Sequence, residues 1–221
     1  MSATPIAQQV TELRGRAEPA ATPNAYLLEQ AALRVDGLPP GVLATGSVLP
    51  DAPLLDAAGR ATGLYAAVGQ RPAVLVLYRG AWCPYCNIAL RAYQASLAAE
   101  LAVRDVALVA VSPQRPDGSL TTAQKDGLTF AVLSDPGNTV GRALGVLTTP
   151  SADALRAQLS SGLDLTAVNA DGTPELPMPT TVVLNADRTV EWIDVHPDYT
   201  TRSEPADILA AVDAAAGRVQ A

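Results

Sequence analysis

The sequence predicts an α/β fold, in which a central mixed β-sheet is flanked by helices and preceded by a helical extension. Two continuous apolar runs of strand length, Val74–Tyr78 and Val106–Val111, are typical of strands buried on both faces of a sheet. Near the C-terminus, the turn-rich Asn185–Arg188 lies between two further apolar runs and predicts a hairpin. A last amphipathic helix follows over Glu204–Ala216. Strands that alternate with helices and end in a hairpin indicate a mixed sheet.

The first part of the chain, residues 1–45, is predicted to be a separate helical extension. Apolar residues at helical spacing predict a short helix from Ile6 to Leu13, and a second helix begins after the cap residue Asn24 and ends at Asp36–Gly37. The side chains expected to face inward on the second helix are Leu27, Leu28, Ala31 and Val35. Packing against the main domain is the plainer interpretation of the extension, and a dimer contact is the alternative.

The main domain is predicted over residues 46–221. Its first half contains, in order, the extended segment Ser47–Leu55, strand Val74–Tyr78, helix Cys83–Leu101, strand Val106–Val111, a short helix Asp117–Asp126 and strand Phe130–Leu133. Its second half contains helix Gly137–Leu144, an insertion Thr148–Pro177 with a helix at Asp153–Leu159, strands Thr181–Leu184 and Val190–Val195, and the last helix. This order is the basis for the predicted sheet.

Composition excludes several classes of function. The formal net charge is -7 and no basic stripe exists, so the sequence does not predict a nucleic-acid-binding protein. No apolar run approaches the roughly 18 residues of a membrane helix, and the N-terminus does not have the pattern of a secretory signal. We therefore expect a cytoplasmic protein without membrane partners. In such a reducing compartment, a closely spaced cysteine pair is typical of catalysis or metal binding.

The only two cysteines form a C-x-x-C motif at the start of a predicted helix. Pro84 suits the first helical position, which makes Cys83 the N-cap and Cys86 the third helical residue. The free N–H groups of Tyr85 and Cys86, together with the helix dipole, favour a thiolate at the cap. We therefore expect a lowered pKa for Cys83, which makes it the preferred nucleophile. Cys86, one turn further, is then the resolving partner within reach of a disulfide.

Other residues near the pair are weighed for supporting roles. Arg79 is close enough in sequence to stabilise an anion, and Trp82 would shield one side of the pair. A zinc site would need two further ligands, but the only histidine is His196 and no other cysteine exists. We therefore expect no metal and no other cofactor. Two inert core cysteines are the plain alternative to a redox pair.

Four segments resemble the peroxiredoxin-like branch of the AhpC/TSA (alkyl hydroperoxide reductase/thiol-specific antioxidant) family, in the thioredoxin-fold superfamily. The most specific is Y-R-G-A-W-C-P-Y-C-N at Tyr78–Asn87, which is similar to the redox-centre segment of that branch. The supporting segments are Leu133–Val146, Pro177–Leu184 and Asp198–Pro205. The resemblance runs from about residue 46 to residue 217 and implies a thioredoxin-like fold for the main domain.

The resemblance also implies roles for individual residues. It implies a cis Met178–Pro179 bond that faces the cysteine pair, with backbone groups of Met178 and Thr180 available to an extended thiol partner. Arg142, on the helix before a Gly-Val pair, could occupy the place of a peroxide-site arginine. The chain departs from the family in one respect, because neither cysteine has a Thr or Ser three residues before it: Gly80 stands before the first.

Three functions are carried forward. The first is a thiol-dependent peroxidase: Cys83 or Cys86 is oxidised by a hydroperoxide, the other condenses with it, and a dithiol of thioredoxin or glutathione type resets the pair. The second is a thiol–disulfide oxidoreductase acting on protein or glutathione disulfides. The third is a redox-sensing interaction module without turnover. Turnover with peroxide rather than with a disulfide such as insulin separates the first two, and a homodimer is compatible with all three.

Overall fold

The centre of the molecule is a seven-stranded mixed sheet, seen in a computed structural model that describes residues 4–16, 24–116 and 127–219. The strands are β1 Pro53–Leu55, β2 Ala61–Gly63, β3 Ala73–Leu77, β4 Ala107–Ser112, β5 Ala131–Ser134, β6 Leu147–Thr148, β7 Leu176–Pro177, β8 Thr180–Leu184 and β9 Val190–Val195. The large sheet has the order β2-β1-β5-β4-β3-β8-β9, and β6 pairs with β7 apart from it. The predicted helix Asp117–Asp126 lies outside the described residues.

Helices cover both faces of this sheet. They are α1 Ile6–Gly15, α2 Ala25–Asp36, α3 Leu64–Val68, α4 Pro84–Ser96, α5 Ala98–Val103, α6 Thr139–Leu144, α7 Ala152–Ser160, α8 Leu165–Val168 and α9 Pro205–Val219. In the parts of the chain that the structure describes, no helix combines the length and apolarity needed to cross a membrane.

The sheet confirms the predicted pairing of buried strands and a late hairpin. Strand β3 runs parallel to β4 and antiparallel to β8, and β8 forms the antiparallel hairpin with β9. Every residue of β3 and β4 is buried because helices cover both faces. Alternate side chains of β3 enter opposite cores, with Val74 and Val76 on one face and Leu75 and Leu77 on the other. The mixed α/β fold is therefore confirmed.

The helix predicted over Cys83–Leu101 is two helices in the structure. Helix α4 ends at Ser96, and α5 begins at Ala98 after Leu97, which adopts φ -118° and ψ -41°. The chain bends here without a proline or a glycine. The bend places both Leu97 and Leu101 in the core, where each is fully buried.

The N-terminal helices pack on the main domain, but α2 uses a different face from the one predicted. Helix α1 buries Ile6 and Val10 in the core beside α4. The Asn24 cap of α2 is confirmed, since its side chain accepts a hydrogen bond from the N–H of Leu27. The predicted inward residues are instead exposed: Leu27, Leu28, Ala31 and Val35.

The polar face of α2 is the one that is buried. Glu29 and Gln30 are inside, and the Glu29 carboxylate accepts a 2.7 Å hydrogen bond from the N–H of Ser151. A buried carboxylate needs such a partner, and the main domain supplies it, so the helix turns this face inward. Dimer formation through the exposed leucines stays a prediction.

Candidate active site

The cysteine pair lies where β3 passes through a tight turn into α4. Cys83 is the N-cap and Pro84 the first helical residue, as predicted. Gly80 in the turn has φ +147°, and a Cβ there would lie 2.8 Å from Oε1 of Gln114 and still closer to the Trp82 ring. A side chain at this position would therefore displace the turn that presents the pair.

Both cysteines are free thiols and are buried, Cys83 with 1% exposure and Cys86 with none. Burial raises the pKa of Cys83 well above its usual range, and the hydrogen bond and the charge of Cys86 raise it further. Burial also opposes ionisation of Cys86. The hydrogen bond from Cys83 and the positive charge of Arg202 nevertheless hold the pKa of Cys86 well below its usual range.

The expectation of a lowered pKa at Cys83 is therefore wrong. Its side chain accepts no hydrogen bond from the first turn of α4, so the cap position does not stabilise a thiolate there. The pair shares one proton, which resides on Cys83 while the negative charge resides on Cys86.

Arg202 is the residue that decides this, and the sequence analysis did not single it out. Its Nη2 lies 2.9 Å from Sγ of Cys86 and 4.0 Å from Sγ of Cys83. Burial alone would lower the pKa of Arg202, but the charges of Cys86 and Cys83 raise it, so the guanidinium stays ionised. Because 116 residues separate it from Cys86, only its place in the resembled C-terminal segment could have drawn attention to it.

A network of polar side chains holds the loop that carries this arginine. Tyr93 Oη donates a 2.8 Å hydrogen bond to the carbonyl of Ser203, and Ser203 Oγ donates one of 2.8 Å to Asp194. Nε2 of His196 lies 3.0 Å from the same carboxylate, and Nδ1 lies 2.7 Å from the Thr201 hydroxyl. The hydrogen bond from His196 lowers the pKa of Asp194, which burial alone would raise. The only histidine of the chain therefore serves this network.

Arg79 and Trp82 lie beside the pair, as predicted from their place in the sequence. The Arg79 guanidinium is stacked between two aromatic rings, 4.1 Å from the centroid of Tyr199 and 5.0 Å from that of Trp82. The side chain is 6% exposed, and its charge favours the thiolate form of both cysteines. Two guanidinium groups thus face one sulfur pair.

Arg142 does not belong to this site, so the expectation that it could act as the peroxide-site arginine is wrong. Its side chain is 60% exposed at the end of α6 and forms a 3.0 Å ion pair with Glu175. A cation in the last turn of a helix is stabilised by the helix dipole while remaining solvated. The guanidinium at the sulfurs belongs to Arg202.

The Met178–Pro179 bond is trans, because the described residues contain no cis peptide bond, and the cis expectation is therefore wrong. The N–H of Met178 bonds to the carbonyl of Val146, and its carbonyl accepts a hydrogen bond from Thr180 Oγ1. These bonds hold the chain extended from β7 into β8, which the intrinsically preferred trans isomer allows. Met178 and Pro179 share a narrow cleft with Arg79, whereas Thr180 is buried in the sheet.

A cavity of about 600 Å³ opens beside the pair. Cys83 lines it and Cys86 does not. Arg79, Trp82 and Tyr199 form its wall next to the sulfur, and residues of α1 and α2 form the opposite wall. Within the described ranges, no group of three or more His, Cys, Asp and Glu side chains is placed to hold a metal ion. The arrangement can therefore admit a small molecule to a thiol whose proton acceptor, Cys86, is already in place.

Comparisons with solved structures identify the fold. Peroxidoxin BcpB from Mycobacterium tuberculosis is 23% identical, with a TM-score of 0.59 over 78% of this chain and 97% of that chain. Reduced Prx3 from Vibrio vulnificus, in complex with hydrogen peroxide, is 18% identical, with a TM-score of 0.61 over 77% and 99%. The yeast mitochondrial 1-Cys peroxiredoxin is 15% identical, with a TM-score of 0.60 over 81% and 79%. The thioredoxin-like fold is thus confirmed.

The sequence comparisons identify the family. No curated protein shows a match to the chain. The family model described as AhpC/TSA matches residues 45–193, which include both cysteines and seven strands of the large sheet. This protein therefore belongs to the AhpC/TSA family.

Proposed function

We propose that this protein is a thiol-dependent peroxidase that reduces a hydroperoxide through Cys83 and Cys86. The observation that carries the proposal is the sulfur pair itself. One thiolate and one thiol share a proton beneath Arg202, and the thiol opens on a cavity lined by Arg79. Membership of the AhpC/TSA family and the likeness to a peroxiredoxin solved with hydrogen peroxide support it.

Access assigns the attack on peroxide to Cys83, since it lines the cavity and Cys86 does not. The Cys86 thiolate takes the proton of Cys83 as the Cys83 sulfur attacks the outer peroxide oxygen. The O–O bond breaks, and the leaving alkoxide faces Arg79 and takes a proton from solvent. A thiolate of high pKa is the stronger nucleophile once its proton is removed, so the raised pKa of Cys83 does not prevent attack. The products are an alcohol and a Cys83 sulfenic acid.

The second step closes the disulfide. The sulfur of Cys86, now a thiol, attacks the Cys83 sulfenic acid, and hydroxide leaves as water with the proton of Cys86. An external dithiol of thioredoxin type then reduces the disulfide. The yeast mitochondrial protein, a structural neighbour, is described as resolved by glutathione/thioredoxin systems. A cytoplasmic location fits this cycle, because a reducing compartment supplies the electrons.

The alternative, exchange with protein disulfides, uses the same two sulfurs but is less well supported. Cys83 is 1% exposed and Cys86 is fully buried, so a protein disulfide cannot reach either sulfur in this arrangement. A peroxide that enters the cavity can reach Cys83 without any such rearrangement.

The test mixes reduced wild type, Cys83→Ser and Cys86→Ser with stoichiometric hydrogen peroxide and follows intact mass after rapid quenching. We expect the wild type to lose two hydrogens as it forms the disulfide. Cys86→Ser should gain one oxygen and keep it, and Cys83→Ser should stay unchanged on the same timescale. Oxygen gain in Cys83→Ser alone would reverse the assignment. Wild-type oxidation no faster than that of a free low-pKa thiol, together with insulin reduction, would replace the peroxidase by the exchange reaction.

A further inference from the structure

The N-terminal helices α1 and α2 form one wall of the cavity at Cys83. They contribute Leu13, Tyr26, Leu27 and Gln30. Both helices precede residue 45, where the match to the AhpC/TSA family begins. The enclosure of the site therefore comes from a part of this chain that the family match does not include.

Specific contacts hold this wall against the loop that carries Arg202. The N–H groups of Ile6 and Ala7, at the start of α1, donate hydrogen bonds of 2.9 and 2.8 Å to the Glu204 carboxylate. On α2, Arg34 forms a 2.7 Å ion pair with Asp198. The helices are thus attached on either side of Arg202, so the cavity wall and the thiolate partner share one support.

The cavity wall contains polar atoms that have no partner within the described residues. The side-chain carbonyl oxygens of Gln30 and Gln158 are buried, and both residues are at least nine-tenths inaccessible, with 4% and 3% exposure. On the sulfur side, Nε1 of Trp82 has no acceptor either. All three side chains line the cavity. Buried polar groups are normally hydrogen-bonded, so these atoms point to a ligand that supplies the partners.

We infer that the N-terminal helices make this cavity a binding site for an amphiphilic organic hydroperoxide. Its apolar body packs on Leu13, Tyr26 and Leu27, and an O–H or N–H of the ligand donates to the carbonyl oxygens of Gln30 and Gln158. Pockets of about 300–1,000 Å³ are typical of drug-sized ligands, whereas hydrogen peroxide would fill only a small part of this one. The inference rests on the proposed peroxidase function and names its substrate class.

The chain offers a matched pair of variants on α2. Leu27 lines the cavity and is 42% exposed, so Leu27→Trp narrows the cavity without disturbing the core. Leu28 is 58% exposed on the same helix and does not line the cavity, so Leu28→Trp is the control. Gln158→Leu removes one of the two unpartnered acceptors.

The experiment measures kcat/KM for hydrogen peroxide, for cumene hydroperoxide and for its para-hydroxymethyl derivative, which adds an O–H donor. In Leu27→Trp, the ratio of the organic value to the hydrogen peroxide value should fall at least about tenfold, and Leu28→Trp should keep the wild-type ratio. Gln158→Leu should remove most of the preference for the derivative over cumene hydroperoxide. Binding of the alcohol product of the derivative to Cys83→Ser, followed by tryptophan fluorescence, should weaken in Leu27→Trp and Gln158→Leu.

Different failures have different meanings. An unchanged ratio in Leu27→Trp, with hydrogen peroxide still reduced, would overturn the cavity assignment and leave the peroxidase intact. An effect of Leu27→Trp on the reduction of the disulfide by thiol alone would assign the cavity to the reductant instead and would also overturn the inference. No reduction of any peroxide by the wild type would overturn the proposed function and this inference with it.

Discussion

Removal of the Arg202 guanidinium should shift the ionisation of the cysteine pair toward the neutral form. Its Nη2 lies 2.9 Å from Sγ of Cys86, and the side chain is 8% exposed, so water screens the contact little. A hydrogen bond to a charged group contributes about 1.5–3 kcal/mol. Since about 1.4 kcal/mol corresponds to a factor of ten, Arg202→Met should lower the ionisation equilibrium constant about tenfold to a hundredfold. The thiolate should then form only at higher pH.

The assay follows thiolate absorbance and the rate of alkylation by iodoacetamide against pH in the reduced protein. Both profiles should move to higher pH in Arg202→Met, and Arg202→Lys should move them less because it keeps the positive charge. Arg142→Met removes an exposed arginine and should leave both profiles in place. Because Arg202 also donates to the carbonyl of Tyr199, thermal unfolding must first establish that the variant is folded. A folded Arg202→Met with the wild-type profile would refute the assignment of the thiolate to this contact.

Two further predictions concern the supports of the site. Asp194→Asn weakens the acceptor of the Ser203 hydroxyl, so we expect slower peroxide reduction and an alkylation profile moved to higher pH, measured as above. A loss of stability with an unmoved profile would limit Asp194 to a structural role. Gly145 has φ +69°, and a Cβ there would overlap a backbone carbonyl of the extension, whereas Gly69 has φ +68° with nothing within 4 Å. Gly145→Ala should therefore lower the free energy of unfolding by about 1–3 kcal/mol more than Gly69→Ala, measured by urea denaturation, and equal losses would contradict the close approach.

Local sequence signals predicted the elements that they control directly. Strand β3 was predictable because an uninterrupted run of Val and Leu suits only a position that is covered on both faces. Pro84 predicted the start of α4, since a proline lacks the N–H that the first helical position does not use. The β8–β9 hairpin followed from the turn residues between its strands.

Predictions that depended on distant partners were the ones that failed. The apolar stripe of α2 indicated an inward face, but the buried bond from Ser151 to Glu29 turns the polar face inward. Arg142 had a suitable place in the sequence, but its helix end is open to solvent. Periodicity and local position cannot report such contacts, because the partners are far away along the chain.

The sequence by itself determined that this protein has an α/β fold and carries a Cys83–Cys86 pair at a helix N-terminus, since both follow from short-range patterns of apolar residues, proline and glycine. Only the tertiary structure decided which sulfur bears the charge. Cap geometry alone favours a thiolate at Cys83, whereas the Arg202 guanidinium, brought from 116 residues away, stabilises it at Cys86. A charge at hydrogen-bond distance in a buried site outweighs the weaker field of a helix end, and folding alone brings that charge to the sulfur.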